Sequence, residues 1–233
     1  MAFACLDWTA GSAAMQAAQD AYNARSGFPA VFFGVGSYGT SSDPQRGLGA
    51  CYNLTVAGVS RPLLVQSINT GSDVDGNQFD LMVGDGGAGA FDTCVGTNSP
   101  ASMFPGTKAP WGNQYGGVDN RAQCAGLPPF PIVAAPAKAV GDNLISLCQY
   151  SFDNNFRMEG GGNPSIQSVA RVACPAELVN ITQLQRSDDP AAGLVTDVKT
   201  ADGHVCDDSS GNLAWCLTRM MDCRKPSGWV FVG

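Results

Sequence analysis

"LLVQSINTGSDVDGNQFDLMVGDGG", residues 63–87, holds two short apolar runs separated by a polar turn and closed by glycines. With Pro62 the first run, "PLLVQSIN" (62–69), reads as a strand. Asp73 and Asp75 follow in turn-like composition and could be simple turn formers. "QFDLMV" (78–83) reads as a second strand, and "GDGGAGAF" after it is too glycine-rich for a regular element. That segment is expected to be a loop where backbone packs on backbone. Asp80 differs from its neighbours because Phe79 and "LMV" put it at the start of an apolar strand. An acid there is expected to have less water, which favours the protonated form and suits a general acid. Composition alone does not choose between that role and a plain surface acid.

Outward from this core, "AVFFGVG" (30–36), "ACYNLTVAG" (50–58), "SIQSVARVAC" (165–174) and "WVFV" (229–232) read as further strands. "SAAMQAAQDAYNAR" (12–25) is Ala-rich, can be capped by Ser12 and stops at Gly27, so it reads as a helix. Residues 96–143, rich in Gly, Pro and Asn, read as long surface loops, and 185–212 as an exposed polar connection. No repeat and no clear linker breaks the chain, so residues 1–233 are expected to form a single domain.

Only 14% of residues are charged, and 29 Gly and 14 Pro suit a loop-rich β protein rather than a helical bundle. A net charge of −7 argues against nucleic acid or an anionic membrane as partner, because both demand a basic face. No run of 18 apolar residues is present. Nine cysteines without any CxxC, and His204 as the one histidine, make a Cys/His metal site improbable. They read instead as disulfides made in an oxidising compartment, with at least one thiol free or paired with another molecule. Two tripeptides, Asn53-Leu54-Thr55 and Asn180-Ile181-Thr182, have the form of glycosylation acceptors and fit a secreted protein. The chain is then expected to begin after a removed signal, with Met1 a cloning start.

GxSxG, HExxH and Walker patterns are absent. His204 lies in the solvated stretch "ADGHVCDDSSG", and neither "GVGSYG" nor "GDGGAG" leads into a helix as dinucleotide binding requires. Carboxylates remain. Besides those around Asp80, Asp222 lies near the end of the chain, in "TRMMDCRKPSGW" (218–229).

Three stretches together resemble glycoside hydrolase family 45, small inverting β-1,4-glucan endohydrolases. "ACYNLTV" and "LLVQSINTGSDVDGNQFDLMVGDGGAGAFDTC" are similar to the family's Cys-Tyr and Val-Gln-Ser strands, Thr-Gly-Gly-Asp turn, His-Phe-Asp-Leu and glycine-rich loop. "YGGVDNRAQC" (115–124) and "NPSIQSVARVACPAELVNITQLQRSDD" (163–189) resemble the next segments, in family order. The family's N-terminal hallmark, Thr-Arg-Tyr-Trp-Asp-Cys-Cys-Lys-Pro-Ser-Cys, resembles residues 218–228 at the other end of this chain. The resemblance therefore implies a circularly permuted order, which is tolerated where parent termini lie close and exposed. "GWVFVG" and "MAFAC" would flank the new opening.

The implied fold is mainly β: a six-stranded double-psi β-barrel with long disulfide-linked loops and a few short helices. The implied disulfides are Cys51–Cys174, Cys94–Cys223 and Cys124–Cys148. Gly49 and Leu184 replace both partners of a further family bridge, as Leu48 and a position near Gly228 replace another. Cys206 and Cys216 read as a local pair, leaving Cys5 odd. Carried over, Asp222 is the general base, Asp80 the general acid and Asp73 an assisting carboxylate. Trp229, with Tyr115, Trp111, Trp215 and Lys225, would meet the sugar. The implied protein is a secreted monomer that hydrolyses a β-glucan such as cellulose without a cofactor or metal. Departures are Met220-Met221 for the family's Tyr-Trp, Gln78 for a frequent His, and Asp85 for a Pro or Gly. The methionines remove a sugar-stacking surface, so a non-hydrolytic, expansin-like glucan-binding protein is the competing expectation.

Overall fold

The computed structural model describes residues 3–5, 8–38, 48–69, 74, 78–86, 113, 116–127, 137–186, 189 and 229–231, with backbone alone for 3–5, 137–144 and 229–231. Two compact units divide the chain: residues 13–82 with 165–225, and residues 1–12 with 83–164 and 226–233.

The first unit is built on one sheet. Its strands are β2 (Phe32–Tyr38), β3 (Cys51–Val56), β4 (Leu63–Asn69), β5 (Phe79–Leu81) and β6 (Ile166–Val172), in the order β5-β2-β4-β3-β6. β2 and β4 run parallel and the other neighbours antiparallel. β2 is buried along its whole length, as its near-continuous apolar run requires. β3 alternates instead: Tyr52, Leu54 and Val56 are buried, while Asn53 and Thr55 on the other face are partly or fully exposed. All the strands expected between residues 30 and 174 are present, and the mainly β reading with a few helices holds for this unit. Five strands are described where six in a closed barrel were expected.

Helix α1 (Ala13–Ser26) ends before Gly27, whose φ of 66° is the left-handed stop expected there. Its Gln19 accepts the amide of Phe33 at 3.0 Å, and Asn23 closes on both backbone groups of Val31 at 2.9 and 3.1 Å. Side-chain amides thereby satisfy backbone polar groups around the start of β2. Helix α3 (Ala176–Thr182), not anticipated from sequence, is tied to α1 by a two-pronged Arg25–Glu177 ion pair.

Gln66 is fully buried in this unit, at 0% exposure. Its amide donates to the carbonyls of Leu184 (2.7 Å) and Gly49 (3.1 Å), and its oxygen accepts from the Thr182 hydroxyl at 2.6 Å. The Cys51–Cys174 disulfide forms beside it. Closing a loop of 123 residues, that bridge contributes about 4–5 kcal/mol in a chain-entropy account. A Cβ added to Gly49 would lie 3.3 Å from Leu184 Cγ, so these two positions are neighbours, as partners of a lost bridge must be.

The second unit gathers Trp8–Gly11, residues 83–86, a 3-10 helix (Arg121–Gly126) and α2 (Ala137–Asp153). Its core is Val118, Cys124, Leu127, Cys148 and Phe152, stapled by Cys124–Cys148. Here the loop reading of residues 96–143 is corrected, because the 3-10 helix and the start of α2 fall inside it. Asn120 caps the former by accepting the Gln123 amide. For α2 the apolar spacing Val140, Leu144, Leu147, Cys148, Phe152 is helical. Burial of Leu147, Cys148 and Phe152 outweighs Gly141, which costs a helix only about 1 kcal/mol. Strands β1 (Phe3–Cys5) and β7 (Trp229–Phe231) pair antiparallel, with Phe3 opposite Phe231 and Cys5 opposite Trp229. Among the described residues no helix is long and apolar enough to cross a membrane.

Candidate active site

β5 is three residues long and is held by β2: Leu81 lies opposite Gly36, Asp80 opposite Ser37 and Phe79 opposite Tyr38. The approach is closer than side chains would allow. A Cβ on Gly36 would overlap the Asp80 carbonyl, and one on Gly34 the Leu81 side chain. Gly34 and Gly36 of "GVGSYG" therefore serve the close approach of β5.

Aromatic contacts set which way β5 faces. Phe79 leans on Tyr38 with ring centroids 6.1 Å apart, and Tyr38 meets Tyr52 of β3 edge-on at 4.6 Å. With Phe79 packed this way, strand alternation sends Asp80 to the opposite side. Asp80 is exposed, and Gln78 Nε2 donates to its Oδ1 at 2.8 Å. This corrects the expectation of a carboxyl short of water: Phe79 and Leu81 are apolar neighbours in sequence but point away from it.

The desolvated acid is Asp85 of the second unit, 5% exposed and buried with Arg157, 6% exposed. Burial pushes the Asp85 carboxyl up to about 6, against the opposing pull of the Arg157 guanidinium and the backbone. Arg157 Nε stands 3.5 Å from Asp85 Oδ2, an ion pair too long to be a hydrogen bond, while another guanidinium nitrogen donates to Asn163 at 2.6 Å. Gly116 is glycine for this reason, since a Cβ there would lie 2.5 Å from the guanidinium, while one on Gly161 would meet Asp119 Oδ1 at 2.6 Å. The Asp85 carbonyl takes the Val118 amide at 2.9 Å. Sequence reasoning noticed Asp85 only as a departure from the family. An acid among glycines, with no side chains beside it to hold water off, carries no signal of burial.

Of the other sequence candidates, Asp222, Asp73, Trp111, Tyr115, Trp215 and Lys225 lie outside the described residues, and only the backbone of Trp229 is described. Cys51–Cys174 and Cys124–Cys148 form as the resemblance implied. Cys94–Cys223 and Cys206–Cys216 fall outside the described residues. Among the described residues no three His, Cys, Asp or Glu side chains are grouped to hold a metal ion.

Comparison with known proteins gives this arrangement a family. The model for glycosyl hydrolase family 45 matches residues 7–185. A springtail protein named endoglucanase (Cryptopygus antarcticus) is 29% identical over 164 residues, 69% of this chain and 63% of its own length. Endoglucanase 1 of Mycosarcoma maydis is 31% identical over 186 residues, 74% of this chain and 41% of its own. This chain thus spans less than two thirds of either relative. A solved structure, the cellulase from Cryptopygus antarcticus, overlays with a TM-score of 0.49 at 29% identity, covering 69% of this chain and 68% of the other. With more than half of its length matched, the chain belongs to glycosyl hydrolase family 45.

Proposed function

We propose that this protein is a secreted, monomeric endo-β-1,4-glucanase that hydrolyses a cellulose-like β-glucan with inversion. One catalytic domain over residues 1–233 would use a six-stranded double-psi β-barrel in permuted order. Asp222 is the base that draws a proton from water as the water attacks the anomeric carbon. Asp80 gives its proton to the departing glycosidic oxygen. Such pairs stand roughly 6.5–9.5 Å apart, leaving room for the water. Asp73 is the assisting carboxylate, and Trp229, Tyr115, Trp111 and Lys225 meet the sugar chain.

The observation that carries this reading is the orientation of the family's Phe-Asp dipeptide. Phe79 is anchored on Tyr38, and the Asp80 carboxyl is left open to an arriving glucan. A sugar chain lying over β5 would cover this carboxyl and exclude water from it. Two findings support the rotated order. The family match stops at residue 185, ahead of the Asp222 stretch, and β1 pairs antiparallel with β7, so the two terminal segments are the arms of one ribbon. Adjacency of Gly49 and Leu184 supports the family's disulfide plan.

A second reading, a non-hydrolytic expansin-like protein, is favoured by one observation: Met220-Met221 stand where the family has Tyr-Trp. Reducing-sugar release from a soluble β-1,4-glucan decides between them. Wild type should release sugar with the α-anomer forming first, and Asp222→Asn should lose about 10²–10⁴-fold. Binding without release by wild type would give the protein to the second reading.

A further inference from the structure

We propose that Asn180 is an N-glycosylation site, while Asn53, in the other acceptor tripeptide, carries no glycan in the folded protein. This rests on the secretory reading above. In the transfer, the Asn180 side-chain nitrogen attacks the anomeric carbon of a polyprenyl-diphosphate-linked oligosaccharide. The N–C bond forms as the C–O bond to diphosphate breaks, and the amide loses one proton.

The two tripeptides differ in what folding does to them. Asn180 lies on α3, whose Leu178 and Thr182 are buried while Asn180 is exposed. Among the described residues its side chain has no hydrogen-bond partner, and the Gln183 side chain donates to its backbone carbonyl at 2.7 Å. An oligosaccharide there displaces no contact among the described residues. The threonine of the same tripeptide is sealed: Thr182 is 1% exposed and its hydroxyl is committed to Gln66 at 2.6 Å. The acceptor is therefore readable only before α3 packs, which fits transfer to a chain still entering the compartment.

Asn53 sits midway along β3, between Leu64 of β4 and Ala170 of β6. Its Oδ1 is buried without a hydrogen-bond partner in the described structure. A glycan on that amide would need the side chain turned out of the sheet surface. Chains modified there are expected to fail folding and be absent from the folded product.

The full chain, given a signal sequence and expressed in a eukaryotic secretory host, tests this by intact mass before and after peptide-N-glycosidase. Material held in the cell is read the same way from the microsomal fraction. The expected result is one glycan lost from wild type and from Asn53→Gln, none from Asn180→Gln, and the Asn180 peptide converted to Asp on release. Asn180→Gln touches no described contact, so its folding is not in question. Wild type without a glycan, or with one on Asn53, overturns the proposal. Glucan hydrolysis by the same samples separates the two claims: activity without a glycan sinks this inference alone, and a glycan without activity sinks the glucanase reading alone.

Discussion

Asp80 and Asp85 are five residues apart in sequence and have opposite surroundings. Asp80 is exposed on a three-residue strand, with one neutral hydrogen bond from Gln78. Asp85 is buried in the other unit, held by Arg157 and crossed by a backbone hydrogen bond from Val118. The acid assigned to chemistry is the accessible one, whose proton can reach a substrate. The acid with the strained electrostatics is assigned to holding segments 83–86, 116–118 and 156–163 together. On that proposed assignment a perturbed carboxyl alone would be a poor guide to catalysis; access has to be weighed with it.

The largest expected effect strikes the buried region. Arg157→Leu removes the countercharge of Asp85 and should cost about 3–5 kcal/mol at pH 7, part of it recovered near pH 4 where Asp85 is neutral. Denaturant unfolding at the two pH values measures this, and equal losses at both would remove Asp85 from the account.

Wild type should also carry a pH signature of the same acid. Because the folded state binds the Asp85 proton more tightly than the unfolded chain, its contribution is fully present below pH 4 and is lost as pH rises through about 6. The fall is at most about 3 kcal/mol, from a shift of 3.8 to about 6 at roughly 1.4 kcal/mol per unit. Asp85→Asn should flatten that slope. Stability rising between pH 4 and 6, with no change in Asp85→Asn, would contradict the burial of this charge.

Around Asp80 the expected effects are smaller on stability and larger on turnover than on binding. Gly36→Ala puts a Cβ into the Asp80 carbonyl, so β5 must shift, at about 1–3 kcal/mol and with lower kcat. Gln78→Leu removes one hydrogen bond to an exposed carboxylate and should lower kcat a few-fold while KM and melting temperature hold, which kinetics and calorimetry can read.

How much of this was legible in the sequence follows the same division. The strands of the sheet unit were readable because β-branched and apolar runs with turn residues between them are a local signal; "AVFFGVG" and "PLLVQSIN" became β2 and β4. Two disulfides and the Gly49–Leu184 neighbourhood were legible only through family resemblance, since pairing over 123 residues has no local signal. The alternation Phe79-Asp80-Leu81 says that Asp80 faces away from its apolar neighbours, which outweighs its place at the start of an apolar strand. Helix α2 was not anticipated, because Gly141, Asp142 and Asn143 carry loop chemistry and burial further along overrules them. Asp85 was illegible, because its burial is made by Arg157, Gly117 and Val118, all more than 30 residues away.

The most direct measurement of the central claim is a paired one: reducing-sugar release and thermal unfolding of Asp80→Asn and Asp85→Asn, side by side near pH 5. Asp80→Asn is expected to keep the wild-type melting temperature and lose about 10²–10⁴-fold in kcat, while Asp85→Asn keeps most of its turnover. Hydrolysis at the wild-type rate by folded Asp80→Asn, or its loss in Asp85→Asn alone, would contradict the account.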